Sequence, residues 1–462
     1  MDLTKATTEY LKRSFYFFVR YFWNEVITEP FSDNWHIKYL CDELQLIGER
    51  VASRLNNEYD LIINIPPGMT KSTVATVMFP VWVWLKDAKL RTLTASYSKQ
   101  LSIDHSVKSR DIIRSHKFKK HFPELAIRQD FDNKSHYKNR PGGERFATSV
   151  GGTVTGMHAH LLIIDDSLSP KQASSEVERK KANSFFTNTL PTRKVNKSVS
   201  ATILIMQRLH EDDPTGHLLK TRERGAKIKH ICLPGTVADN IMPTHLSEFY
   251  RNGLLDAKRL NNDDITLLKT NLGSYQFAGQ IMQKPAPEKG GIWERWFVPI
   301  SRKDIPSLER LGSDWDLAYT SKKDNSASAY VTAGVKDNKM YITDANFNWL
   351  EFPALIKYMK SRTAPHYIEA KASGKSAKQT LSDAGIPAIE VDVEGDKITK
   401  TRMVTPYAEA GMIFVAEDLL NRIYNDDKQG ILSFPNSTNN DLNDALCQAI
   451  KRLLQDNEFF TF

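Results

Sequence analysis

Cysteine is scarce in this chain. Cys41, Cys232 and Cys447 stand far apart in 462 residues, which leaves no spacing for a disulfide framework or a thiolate metal site. No apolar run reaches the ~20 residues that a membrane span requires. The aromatic stretch from Leu11 to Ile27 comes nearest, but Lys12, Arg13, Arg20 and Glu25 interrupt it. Signal-peptide pattern, internal repeat and low-complexity tract are all missing. These absences argue against secreted, membrane-spanning and repetitive architectures. The expectation is a soluble protein without membrane contact that works inside a cell.

What is present fits a globular protein of two domains: 462 residues, 40% hydrophobic and 26% charged. The net charge of +8 points to an anionic partner, nucleic acid before membrane, although a charge excess also aids solubility. Leu11, Phe15, Phe18 and Phe22 recur at helical spacing, so the N-terminus reads as an amphipathic helix with an aromatic face. A second helix follows, its stripe traced by Trp35, Leu40, Leu44, Ile47, Val51 and Leu55. From Lys89 to Arg145 basic residues outnumber acidic ones by about two to one, either a solvated face or a surface for a phosphate backbone.

Leu61–Ile65 is an apolar run that breaks at Pro66-Pro67-Gly68, and Lys71-Ser72-Thr73 then opens a helix through Val74–Leu85. Strand, tight loop and Lys-Ser at a helix start form the layout of a phosphate-binding loop. Backbone N–H groups in the loop from Pro67 to Thr73 (those of Gly68, Met69 and Thr70 among them) and the helix dipole would face a phosphate, Lys71 would add charge, and Ser72 would bind Mg2+. A second apolar strand, His160–Ile164, ends in Asp165-Asp166, and a third, Ser200–Met206, ends in Gln207-Arg208. Alternating buried strands and helices predict a mostly parallel α/β sheet with ligands at the carboxyl ends of its strands. In an ATPase, Asp165 would hold Mg2+ and Asp166 would orient or deprotonate water. Gln207 and Arg208 would sense the terminal phosphate. The plain alternative is a set of strand ends and helix caps.

Around Lys284–Gly291 the texture changes to Pro, Gly and charge, giving domains at 1–285 and 301–462 with 286–300 as linker. The second half carries acids at element ends: Asp314 and Asp316 on a strand Arg310–Tyr319, Glu369 ending a strand His366–Glu369, and Asp441 and Asp444 one turn apart at the start of the last helix. Carboxylates distributed this way suit phosphodiester cleavage by two Mg2+ or Mn2+ ions in a ribonuclease-H-like nuclease. Alternatively, Asp441 is an N-cap, Glu369 pairs with Lys371, and Asp314 or Asp316 is a turn residue.

Read together, NWHIKYLCDEL, NIPPGMTKST, GGTVTGMHAHLLIIDDSLSP, TILIMQRLHEDDPTG, FAGQIMQKPAPEKGGIW, SDWDLAYT, IEAKASG and DLNDAL resemble the large terminase subunit of tailed bacteriophages, in that family's order and spacing over nearly the whole chain. The resemblance implies an N-terminal P-loop ATPase that pumps duplex DNA into a procapsid and a C-terminal ribonuclease-H-like nuclease that cuts concatemers. It implies ATP with Mg2+ at Lys71, Ser72 and Asp165, with Asp166 at the catalytic carboxylate position and Gln207 in the coupling segment. Trp35 and His36 would lie near the adenine. Asp316, Glu369 and Asp441 stand at the metal-triad positions, with Asp444 as contender for the third place. It also implies a portal protein, a small terminase subunit, a pentameric ring and the host cytoplasm. A helicase-nuclease of DNA repair or defence shares both chemistries. The chain departs from the family at Thr70 (usually Gly), at Asp166 (often Glu), at Asn440 before Asp441 (commonly Asp) and at Met157, where relatives carry an Arg finger; Arg145 is the substitute.

Overall fold

Strands without polar alternation must be covered on both faces, which requires helices on each side of a mostly parallel sheet. The computed structural model describes residues 3–154, 156–285, 291–318, 326–370, 372–392, 395–426, 429–435 and 439–455. The chain divides into two compact units, Met1–Leu267 with Tyr275–Pro287 and Leu268–Ser274 with Glu288–Phe462. The Pro/Gly-rich hinge at 286–290 and Lys371 lie outside the described residues.

The first unit holds β1 (Asp60–Asn64), β2 (Arg91–Ser96), β3 (Ile127–Asp132), β4 (His136–Asn139), β5 (Glu144–Ser149), β6 (Leu161–Asp165), β7 (Ala201–Met206) and β8 (Ile228–Cys232). They form one sheet in the order β3-β4-β5-β2-β6-β7-β1-β8. The β3-β4-β5 edge is antiparallel and the remaining pairs are parallel. Every residue of β6 is buried, as its LLIID sequence requires. The three polar strand ends therefore emerge on one side, with β7 between β6 and β1.

The aromatic N-terminus is two helices, Leu3–Arg13 and Phe15–Phe22, where one was expected. Ser14 breaks the run because its hydroxyl caps the second helix, accepting from the Phe17 N–H. The four stripe residues are nonetheless all buried. Phe15 lies 5.4 Å from Phe79 and 5.2 Å from Trp82, ring to ring, and Trp82 Nε1 donates to the Leu11 carbonyl. This aromatic plug pins the helix Phe79–Lys86, which follows Lys71-Ser72 through a π-helical turn, Thr73–Met78.

The second unit holds β9 (Val298–Ile300), β10 (Glu309–Asp316), β11 (Ser328–Lys336), β12 (Lys339–Asn348), β13 (His366–Glu369), β14 (Ala388–Val391) and β15 (Ile413–Ala416). Their order is β14-β13-β10-β11-β12-β15-β9, with β10-β11-β12 antiparallel and the outer pairs parallel. The α/β class with mostly parallel sheets holds for both units. Residues 298–300, expected in the linker, instead pair with β15 as an edge strand. Trp315, Tyr330 and Ile368 pack into a cluster on one face of this sheet. By the two-residue period of a strand, Asp314, Asp316 and Glu369 face the other side, where the helix Asp441–Ile450 packs.

Candidate active sites

In the first unit the turn after β1 passes through Gly68 at φ +79° and Thr70 at φ +61°. Thr70 thus occupies a left-handed conformation that disfavours a β-branched side chain. Its hydroxyl donates to the Met69 carbonyl at 2.6 Å. The turn delivers Lys71 and Ser72 onto the acids that end β6. Lys71 Nζ lies 3.1 Å from Oδ2 of Asp166, and Ser72 Oγ donates to Oδ1 of Asp165 at 3.1 Å. Asp166 itself has φ +42°. Its backbone is held at both ends: its N–H donates to Ile205 and its carbonyl accepts from Tyr97.

Burial pushes both carboxyls above their usual range, and the Lys71 charge opposes that shift. Gln207 lies beside them, its N–H 3.3 Å from Oδ1 of Asp166 and its Oε1 buried without a hydrogen bond. The buried Oδ2 of Asp165 also makes no hydrogen bond, and His105 Nδ1 stands 3.5 Å away. Burial, followed by the Arg145 charge, lowers the His105 pKa to about 4, so the ring is neutral at physiological pH. A serine hydroxyl, a carboxylate with a spare oxygen and a neighbouring ammonium suit a phosphate with a hard, oxygen-seeking cation.

Two sequence expectations fail here. Arg145 is no finger toward a neighbouring subunit: it is fully buried on β5, donating to Ser109 Oγ and to the Thr76 carbonyl at 2.8 Å each. Arg208 is also committed elsewhere. Its Nε binds both oxygens of the buried Asp213, which N-caps the helix Pro214–Glu223. Trp35 stacks on Phe249 at 5.4 Å, and His36 is buried with the Met69 backbone beside it but without a formed hydrogen bond. Burial lowers the His36 pKa to about 4.

In the second unit, register sets Trp315 beside Ile368, so Asp316 and Glu369 end neighbouring parallel strands. The helix Lys397–Glu409 brings two lysines to the acids. Lys397 Nζ lies 2.7 Å from Oδ2 of Asp444, and Lys400 Nζ lies 3.6 Å from Oε1 of Glu369. Burial works against the Lys397 charge, but Asp444, then Asp316 and Asp441, outweigh it and raise its pKa. The charges of Asp444, Asp316 and Asp441 thus all act on one ammonium, which Asp444 contacts directly. Asp441 is partly committed, its Oδ2 accepting from the Ala327 N–H and from Gln429 Nε2. Asp444 Oδ1 is buried without a hydrogen bond. Among the described residues no three His, Cys, Asp or Glu stand close enough together to hold a metal ion. The donor set, all carboxylate, is nonetheless the chemistry that Mg2+ and Mn2+ take.

Asp314 is different. It is fully buried, and Arg452 grips both oxygens from Nε and Nη2, the latter at 2.7 Å, while Gln448 adds another hydrogen bond. Burial raises its pKa against the pull of Arg452. Asp314 is a structural acid, which leaves Asp316 as the strand's candidate ligand. His105, Lys397, Lys400 and Gln429 escaped the sequence reading; only the Lys-x-x-Lys spacing of the two lysines hinted at a shared helix face.

No protein-family model and no curated protein sequence matches the chain. Solved structures do. The large terminase of a thermophilic bacteriophage, in complex with ADP, is 11% identical over 81% of this chain and 88% of its own, with a TM-score of 0.44. The HK97 bacteriophage large terminase is 11% identical over 98% of this chain and its full length, with a TM-score of 0.41. The large terminase nuclease of thermophilic phage G20c, with bound magnesium, is 12% identical over 36% of this chain and all of its own, with a TM-score of 0.26. These similar structures are phage large terminases and a terminase nuclease.

Proposed function

We propose that this chain is the motor subunit of a viral DNA-packaging machine, an ATPase joined to a metal-dependent DNA endonuclease. One observation carries the ATPase half: Lys71 and Ser72 of the β1 loop meet Asp166 and Asp165 of β6 at the carboxyl ends of parallel strands. Lys71 and the loop N–H groups would bind the phosphates, Ser72 and Asp165 would hold Mg2+, and Asp166 would orient water or take its proton. The ion, when bound, neutralises charge on the phosphates. Gln207, hydrogen-bonded to Asp166 through its own backbone, links the acid to the segment after β7.

In the second unit Asp316, Glu369 and Asp441, or Asp444 in the third place, would be the residues to hold the metal ions of a ribonuclease-H-like nuclease. Two Mg2+ or Mn2+ ions would supply an activated water and a stabilised leaving oxygen. Lys397 and Lys400 balance the acids' charge. The partners that follow are duplex DNA, a portal on a procapsid, a small terminase subunit and further copies in a pentameric ring, within the host cytoplasm. No helix of the described residues is long and apolar enough to cross a membrane.

The test is ATP turnover with Mg2+, with and without duplex DNA, alongside a strand-displacement assay. Hydrolysis that duplex stimulates, with no strand separated, is the expected result. Strand separation would make the chain a helicase-nuclease instead, and the absence of any Mg2+-dependent hydrolysis would overturn the ATPase.

A further inference from the structure

The carboxylate that ends β6 presents its two oxygens to different neighbours. Oδ1 of Asp165 accepts from the Ser72 hydroxyl, on the side of the phosphate loop. Oδ2 points inward, where it is buried and makes no hydrogen bond. A buried carboxylate oxygen left in this state costs free energy, so a donor beside it has a reason to be there. Two side chains are near. Thr76, on the π-helical turn, turns its buried hydroxyl toward Asp165 but short of hydrogen-bond geometry. His105 has its Nδ1 3.5 Å from Oδ2, also buried and also without another partner.

The local fold accounts for the position of His105. β2 and β6 run side by side, with Ser96 opposite Asp165. Ser98 then caps the helix Lys99–Arg114 by accepting from the Leu101 N–H, which turns the chain back along the sheet. The first buried residues of this helix are polar, Ser102, His105, Ser106 and Ser109, before Ile112 and Ile113. Ser102 Oγ reaches Ser96 Oγ at 3.4 Å, so the helix is anchored to the end of β2 one turn before His105. The ring is thereby held near Oδ2, while Ser72 binds Oδ1.

We infer that His105 is a positioning residue for Asp165: its Nδ1–H holds Oδ2 and so fixes Oδ1, together with Ser72, toward the cation of the phosphate loop. This rests on the ATPase reading of the site. It makes His105 an outer partner of a metal-holding carboxylate, a class of residue whose loss weakens metal affinity by about 10–100-fold. The atom that matters is Nδ1, which the amide nitrogen of Asn reproduces and that of Gln, one bond longer, does not.

The experiment measures binding of a fluorescent ADP analogue to the full chain, with Mg2+ and in EDTA, for wild type, His105→Leu, His105→Gln and His105→Asn. The account expects Leu and Gln to lose about tenfold in affinity with Mg2+ while matching wild type in EDTA, and Asn to keep most of the Mg2+ response. Leu and Gln variants that respond to Mg2+ like wild type would overturn it, as would an Asn variant as weak as Gln. Thermal melts establish folding, and if Leu fails to fold the Asn–Gln comparison decides. A wild-type protein that binds no nucleotide would instead remove the ATPase reading itself.

Discussion

Lys71 Nζ stands 3.1 Å from Oδ2 of Asp166, so the cation of the phosphate loop and the carboxylate assigned to water neutralise each other. A phosphate that takes up Lys71 therefore competes with Asp166 for it, and frees that carboxylate for its own task. Lys71→Ala is expected to lower ATP turnover by at least ~100-fold, the scale for removing a preorganised charge from a transition state. It also strands Asp166, and calorimetry should show a stability loss of roughly 1–3 kcal/mol, lessened by protonation of the acid. Turnover near wild type would show that Lys71 does not touch the nucleotide.

Asp314 and Asp316 share a strand and a face but not a role. Asp314→Asn leaves the half-buried Arg452 beside a neutral amide, and a loss of about 3 kcal/mol is expected in chemical denaturation. Asp316→Asn is expected to change stability by less than about 1 kcal/mol while abolishing plasmid cleavage with Mn2+. The reverse pattern would exchange their assignments.

Arg145→Met removes both donors from Ser109 and the Thr76 carbonyl within the core. A buried acceptor without its partner costs about 1–3 kcal/mol, and a lowered melting temperature is the expected reading. Normal stability combined with ATP turnover that a second, intact copy restores would return Arg145 to the role of a finger.

Stability should fall in mild acid. Burial, then the charges of Arg208 and Arg222, lowers the His230 pKa to about 3, and burial lowers that of His366 to about 4. In the unfolded chain histidine titrates near 6.5. Below that pH the unfolded state binds protons that the fold refuses, so stability present above about pH 6.5 is lost as pH falls toward the folded values. The slope is up to roughly 1.4 kcal/mol per pH unit for each histidine. The raised carboxyls of Asp165 and Asp314 act oppositely and offset part of it. His230 Nε2 contacts Asn64 Oδ1 at 2.8 Å, so His230→Gln keeps a donor there without the titration. Melts of that variant between about pH 7 and 5 should be flatter than wild type; an unchanged slope would exclude His230 as a source.

Much of this was legible because three apolar strands reveal their own ends. β6 has no polar residue before its last position, and β1 and β7 carry only Asp60 and Thr202 before theirs, so Asp165-Asp166 and Gln207 were placed at strand ends, and Lys71 in the turn after one, from sequence alone. The same logic placed Glu369, whose strand has the expected bounds. Other features depend on partners remote in sequence. Nothing near Asp314 announces Arg452, which lies 138 residues away and makes that acid structural. Arg145, in a strand reading ERFATS, looks like an exposed charge until two helices close over it. The short strands β8 and β15 carry too little pattern to stand out, and Ser14 splits the aromatic helix by a capping bond that neither glycine nor proline advertises.

Whether two separate active sites serve one chain is tested by assaying ATP hydrolysis and plasmid cleavage side by side in wild type, Lys71→Ala and Asp316→Asn. The account predicts that Lys71→Ala still cuts plasmid with Mn2+ but no longer hydrolyses ATP, and that Asp316→Asn still hydrolyses ATP but no longer cuts. A folded variant that loses both activities, or keeps both, would contradict it.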